Sequence, residues 1–229
     1  MPGWLWALLG ASLAAQIGLH ASLSAPSVAA ADLPAPPRAG ALRAMSLGEP
    51  AAVSRLSMLY VQTFDSASGN RMPYQRLDYS RLSGWLRAIL ETDPRSGYPL
   101  FAAAHVYAEV EDPARARLMY EFVHQAFLED PNRRWPWMAH IALLAKHRLK
   151  NLPLARRYAA DIQRLTTTRD VPLWATQMEA FILEDMGELE AARVMLGGLL
   201  ASGRLQDPAE RKVLKERLEA LEARKASGQ

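Results

Sequence analysis

The pattern in Trp135-Pro136-Trp137-Met138-Ala139 occurs three times in this chain. It appears upstream as Tyr98-Pro99-Leu100-Phe101-Ala102 and downstream as Val171-Pro172-Leu173-Trp174-Ala175. Each copy has a proline, two apolar or aromatic residues and an alanine, and the prolines lie 37 and then 36 residues apart. A repeat of this length is typical of stacked helical hairpins, because one hairpin cannot bury its apolar face without a neighbour.

The composition is that of a folded, helix-rich protein. Half of the 229 residues are hydrophobic and 22% are charged, which is ordinary for a globular chain. Leucine and alanine dominate while runs of β-branched residues are scarce, so helices are favoured over strands. The chain has no Cys, which excludes disulfides and cysteine-ligated metal sites.

The N-terminus is predicted to be a membrane element. No Asp, Glu, Lys or Arg precedes Asp32, and residues 4–19 are nearly all apolar or small. We expect residues 1–23 to be a transmembrane anchor or a signal segment. The small-residue run Ala29-Ala30-Ala31 fits signal cleavage, but the basic region that usually opens a signal peptide is absent, which favours an uncleaved anchor. A third alternative is a buried helix of the folded domain.

Residues 24–49 form an Ala/Pro-rich spacer of the kind found between a membrane anchor and an exported domain. The arginines at 38, 43 and 55 follow the apolar segment and would instead favour a cytoplasmic domain. We expect a single-pass protein of the inner (cytoplasmic) membrane with its folded domain in the periplasm. The alternative is secretion to the periplasm after signal cleavage.

Apolar spacing and proline positions predict the helices. They are expected at Pro50–Phe64, Leu77–Glu91, Pro99–Val110, Pro113–Leu128, Pro136–Arg148, Pro153–Leu165, Pro172–Met186 and Leu189–Ala201, with a loop over Asp65–Pro73. Residues 50–206 would form an array of helical hairpins. A charged amphipathic helix over 207–229 would seal its last apolar surface, as the end of a repeat array requires.

One segment connects the chain to a known family. Met186-Gly187-Glu188-Leu189-Glu190-Ala191-Ala192-Arg193 resembles the inter-helix turn and second-helix start of a tetratricopeptide repeat. Asp93-Pro94 and Asp130-Pro131 resemble its repeat-closing proline, and Ala180 and Ala192 match its small packing positions. The resemblance implies an all-α, right-handed superhelical array of antiparallel hairpins that serves scaffolding or peptide binding. The whole chain also resembles single-anchor membrane proteins of proteobacteria, a resemblance that implies no activity.

Charge is segregated along the chain. Residues 133–169 contain nine Lys and Arg against one Asp, a net charge of +8, whereas residues 170–192 contain six acids and no Lys or Arg. A basic belt can bind an acidic partner, but the same pattern also arises from ion pairs between neighbouring repeats. No nucleic-acid-reading motif accompanies the belt, so a protein or peptide partner is favoured over nucleic acid.

No catalytic or cofactor motif is present, and the spacing of the histidines does not favour a metal site. The tryptophans at helix starts, at 135, 137 and 174, fit either an aromatic groove for an extended peptide or packing between repeats. We therefore expect a non-enzymatic, membrane-tethered scaffold without cofactor or metal; the alternative is a structural subunit of a larger cell-envelope complex. The predicted partner contacts are Arg134, Trp137, Lys146, Arg156 and Arg157.

Overall fold

A computed structural model describes residues 3–22, 33–65, 77–168, 170–201 and 207–226. Those residues contain helices and no strand, which confirms the all-α prediction. The helices are α1 Gly3–Ser22, α2 Ala39–Met45, α3 Pro50–Asp65, α4 Tyr79–Thr92, α5 Tyr98–His105, α6 Pro113–Glu129, α7 Pro131–His147, α8 Leu152–Leu165, α9 Leu173–Asp185, α10 Leu189–Ala201 and α11 Pro208–Ala226, with a 3-10 turn at Tyr107–Glu109.

Most helix boundaries follow from local chemistry. The side chains of Asp78, Asp112 and Asn151 accept hydrogen bonds from backbone N–H groups in the first turns of α4, α6 and α8. These acceptors satisfy donors that have no partner inside the helix. Gly187 ends the α9 hairpin turn with φ of +80°, a conformation in which glycine has no Cβ penalty.

Two predicted boundaries were wrong. α7 begins at Pro131 rather than Pro136, so Pro136 lies inside the helix. Pro136 lies in the second turn of α7 and has no N–H, so the helix lacks the hydrogen bond that this position would otherwise donate to the carbonyl oxygen of Asn132. α5 ends at His105, and the chain continues as a 3-10 turn where helix to Val110 was expected.

The helices pack in chain order. Each helix from α3 to α11 contacts the next, and the first helices of successive pairs also touch, α3 to α5, α5 to α7 and α7 to α9. Many side-chain contacts join residues 35 to 40 positions apart, which is about one repeat. The repeat seen in the sequence is therefore a spacing of contacts in the fold.

One apolar core runs from Leu33 to Ile182, and a second, smaller one joins the end of α9 to α10 and α11. Leu214 and Leu221 of α11 are buried in the second core. Arg217 ties α11 back to α9, because its guanidinium donates to Glu184 at 2.8 Å and lies 4.3 Å from the centre of the Phe181 ring.

Part of the predicted spacer is packed on the array. Leu33 is fully buried in the main core, Leu42 of α2 is also buried, and Arg43 donates two hydrogen bonds to the carbonyl oxygen of Glu91 at the end of α4. α1 exposes its large apolar side chains, including Trp4, Trp6 and Leu13. Over the residues that the structure describes, no helix has the length and apolar character needed to cross a membrane.

Several predictions fall outside the described residues. These are the possible cleavage run at residues 29–31, most of the predicted loop at 65–73, the end of the array at 202–206 and the last three residues. Arg169, one of the nine cations of the basic belt, also lies outside them.

Candidate partner-binding surface

Four helices touch in succession, α3, α5, α7 and α9, and we call the side chains that they expose the first-helix face. It carries exposed apolar and aromatic side chains on every helix: Leu56, Leu59, Tyr60, Phe101, Leu143 and Trp174. Of the second helices, α4 and α8 expose no large apolar side chain within their described lengths, whereas α6 exposes Leu118 and Leu128. Clustered apolar exposure of this kind marks an interaction surface more often than scattered single residues do.

A stack of three rings lies in the middle of this face. Phe101 and His105 are one turn apart on α5, with ring centroids separated by 5.0 Å. The His105 ring in turn lies 3.8 Å from that of His140 on α7, with the two planes inclined by 30°. The stack therefore couples α5 to α7 at the point where the two helices meet.

His140 is held in an environment that favours the neutral imidazole. Its Nε2 atom is buried and has no hydrogen-bond partner among the described residues. Burial lowers the pKa of His140 below its usual value, and the neighbouring His105 lowers it further. Glu109 and the backbone carbonyl of Ala104 oppose this shift without reversing it.

An ion pair between Glu109 and Arg148 lies beside the ring stack. Glu109, in the 3-10 turn, accepts a hydrogen bond from Arg148 directly after α7. The hydroxyl of Tyr120 on α6 is buried nearby without a hydrogen-bond partner among the described residues. Burial raises the pKa of Tyr120 to about 12, so the phenol stays protonated at physiological pH.

The tryptophans pack between repeats, and one of them also stays exposed. Trp135 and Trp174 meet edge to face with ring centroids 5.6 Å apart, so they pack α7 against α9. Trp174 nevertheless remains 48% exposed. The indole N–H of Trp137 donates to the carbonyl oxygen of Gly97 at 3.1 Å, on the opposite side of α7.

Arg134 is occupied within the chain. It is 6% exposed, and its guanidinium donates to the carbonyl of Ala126 at 2.6 Å, to that of Pro94 at 3.2 Å and to Glu129 at 2.8 Å. It thus satisfies carbonyls at the end of α6 and in the α4–α5 loop. Arg134 and Trp137 together fix that loop.

The other three predicted contacts lie at the opposite end of the α7–α8 hairpin. Lys146 pairs with Asp185 and Arg156 pairs with Glu179 at 3.2 Å, so both cations reach across to α9. Arg157 is exposed, and no ion pair holds it within the described residues. The five predicted residues do not share one face, and as partner contacts they stay a prediction.

These pairings give the charge segregation a structural origin. Cations of the basic belt bind acids of the neighbouring repeats, through Lys146–Asp185, Arg148–Glu109 and Arg156–Glu179. Phe101 and Leu143 of the first-helix face were missed as site residues. Phe101 belongs to a recurrent proline segment and Leu143 lies about one turn after another, so the signal available was their place on successive first helices.

The histidines on α5 and α7 lie against each other as a pair of rings. No group of three or more His, Cys, Asp or Glu residues is placed to hold a metal ion in the part of the chain that the structure describes. The two imidazoles face each other as stacked rings, and Glu109 is already paired with Arg148. This arrangement offers ring surfaces and apolar side chains to a ligand.

Comparison with known proteins assigns no family to this chain, so its function has to be argued from its structure. No protein-family model, no curated protein and no solved structure matches this chain.

Proposed function

We propose that this chain is a non-enzymatic scaffold that binds a partner protein or peptide along the first-helix face and is held at a membrane by its N-terminal segment. The observation that carries the proposal is the row of exposed apolar and aromatic side chains on α3, α5, α7 and α9. A superhelical, tetratricopeptide-like course of the hairpins would make this row the inner wall of a groove. An extended peptide with apolar side chains fits such a wall.

The membrane part of the proposal is supported by α1 and by the packing of residues 33–48. α1 exposes apolar side chains, and the chain has no Asp, Glu, Lys or Arg before Asp32. Leu33 is anchored in the core, so only residues 23–32 connect α1 to the array. Ten residues reach at most about 35 Å. A partner bound to the array would be confined near the membrane, which raises its local concentration. We keep the periplasmic side of the inner membrane as the proposed location.

Site-specific photocrosslinking tests the binding face. We would place a photoreactive phenylalanine analogue at Leu143 on α7 and, as a matched control, at Leu118 on α6. Both side chains are 42% exposed, so accessibility does not distinguish them. We expect one reproducible crosslinked protein from position 143 and none from position 118. Equal crosslinking at both positions would show that the first-helix face has no special role.

The partner identified in this way allows a quantitative check. Leu143→Glu places a charge in an apolar contact and is expected to weaken the affinity of the purified pair about tenfold or more. Leu118→Glu is expected to leave the affinity within about twofold. A scaffold that binds elsewhere would respond to neither substitution.

A further inference from the structure

A short proline-rich segment of this chain is already bound like a ligand. Residues 33–37, Leu-Pro-Ala-Pro-Pro, run along α4 without any regular hydrogen-bonded structure of their own. Proline fixes φ near −65°, and residues that precede proline are pushed to extended conformations. The next residue, Arg38, has φ of −67° and ψ of 136°, which lies in the polyproline II region.

α4 recognises this segment through its backbone and one ring. The indole N–H of Trp85 donates to the carbonyl oxygen of Pro34 at 2.8 Å, and Arg81 donates to that of Leu33 at 2.9 Å. A polyproline II segment makes no internal hydrogen bonds, so its carbonyl oxygens are free to accept such donors. Two neighbouring carbonyls are read by two side chains that lie one turn apart on one helix.

Gly84 adds the shape of the site. A Cβ atom at this position would lie 2.7 Å from Cγ of Pro36, closer than real Cβ contacts. Glycine therefore lets the proline ring approach the helix backbone. The Trp85 ring also packs against Tyr60 of α3, with centroids 5.4 Å apart, which gives the site an aromatic wall.

We propose that Arg81, Gly84 and Trp85 form a binding site for proline-rich segments, which the chain's own residues 33–37 occupy and a proline-rich segment of a partner protein takes when they are displaced. The segment is held by hydrogen bonds to two backbone carbonyl groups, by the close approach of one proline ring and by one buried leucine. Any segment with the sequence Leu-Pro-x-Pro can make these contacts. The three proposed residues lie on α4; only the wall residue Tyr60 is shared with the first-helix face, and the proposal does not require a partner bound at that face.

A peptide added from outside has to compete with the chain's own residues 33–37 for the site. It is joined to α3 through residues 38–49, and a ligand tethered this closely competes at an effective concentration on the order of millimolar. A free peptide should therefore bind the intact chain weakly. It should bind strongly once the internal segment is loosened.

The test uses a fluorescent peptide with the sequence of residues 33–39 and the full-length chain. The double substitution Leu33→Ser, Pro36→Ala loosens the internal segment and leaves Arg81, Gly84 and Trp85 in place. Fluorescence polarisation should show about tenfold or tighter binding to this variant than to the wild-type chain. Adding Gly84→Ala should abolish the gain, while adding Gly198→Ala, where a Cβ meets nothing within 4 Å, should leave it intact.

A second measurement guards against misfolding of the loosened variant. In the wild-type chain, millimolar peptide that carries a nitroxide spin label should broaden the NMR signal of the Trp85 indole N–H and leave that of Trp174 unchanged. Absence of that broadening, or equal peptide binding with and without Gly84→Ala, would overturn the proposal. Dimers of the loosened variant without peptide binding would also overturn it, by assigning the site to exchange of this segment between two copies of the chain.

Discussion

At the scale of single residues, the buried pair between α6 and α8 is a strong constraint on the fold. His124 and Asp161 lie one repeat apart and are almost fully buried, and His124 Nε2 lies 2.8 Å from Asp161 Oδ2. Arg164 donates to the other carboxylate oxygen at 2.5 Å. A buried carboxylate is stable only when partners such as these satisfy it.

Removing the carboxylate should therefore be costly. We expect Asp161→Ala to lower the free energy of unfolding by about 3 kcal/mol, because His124 loses its hydrogen bond to the carboxylate inside the core. Urea denaturation followed by circular dichroism measures the change. Glu190→Ala is the control: it removes an exposed pair with Arg193, which solvent screens, and should leave stability nearly unchanged. If the two variants lost similar amounts of unfolding free energy, the buried pair would contribute no more to stability than the exposed one.

His140 gives stability a dependence on pH. The pKa of His140 is lowered in the folded chain. Below pH 6.5, His140 is therefore protonated to a greater extent in the unfolded chain than in the folded chain. Stability should therefore fall as the pH drops from 6.5 towards the folded pKa of His140, by less than about 1.4 kcal/mol per pH unit, the limit for one proton.

The substitution His140→Phe separates this effect from other titrations. Phenylalanine keeps a ring against His105 but cannot be protonated, so the variant should lose part of the slope of stability against pH between 6.5 and 5. Urea denaturation at half-unit pH steps provides the measurement. A His140→Phe curve parallel to wild type would contradict the assignment.

At the scale of elements, local signals explain which helices could be predicted. α6 and α8 begin at a proline or a capping side chain and were found within a residue or two, whereas α7 begins five residues before the proline chosen from the sequence. α2 and the segment before it were missed, because their order comes from distant contacts such as Arg43 to Glu91. The same holds for the binding face: no local pattern shows which side of α7 stays exposed.

The turn between α9 and α10 permits a sharp test of an element boundary. Gly187 has φ of +80°, and its N–H donates to the carbonyl of Glu184 at 3.0 Å. Gly187→Ala should destabilise the chain by about 1 kcal/mol, because a Cβ is disfavoured in this conformation. Gly198→Ala, in the middle of α10 with open space around it, should stabilise by up to about 1 kcal/mol. Thermal denaturation of both variants should show shifts of opposite sign.

At the scale of the whole molecule, each helix contacts mainly its neighbours in sequence. The stability of one part of the chain therefore depends mainly on the helices next to it. The main core extends from Leu33 to Ile182, whereas α10 and α11 depend on a second core of seven buried residues. A smaller core supplies less apolar burial, so this end of the chain should open at a lower free energy than α6 to α8.

Hydrogen exchange measured by mass spectrometry can resolve this difference. We expect amides of α10 and α11 to exchange faster than those of α6, α7 and α8 in the wild-type chain. Leu196 is fully buried in the second core, so Leu196→Ala should speed exchange in α10 and α11 further, with a local cost of about 2–5 kcal/mol. Exchange in α6 to α8 should stay unchanged. If Leu196→Ala instead accelerated exchange equally in all of these helices, the chain would unfold as one cooperative unit, and the repeat-by-repeat description of its stability would be wrong.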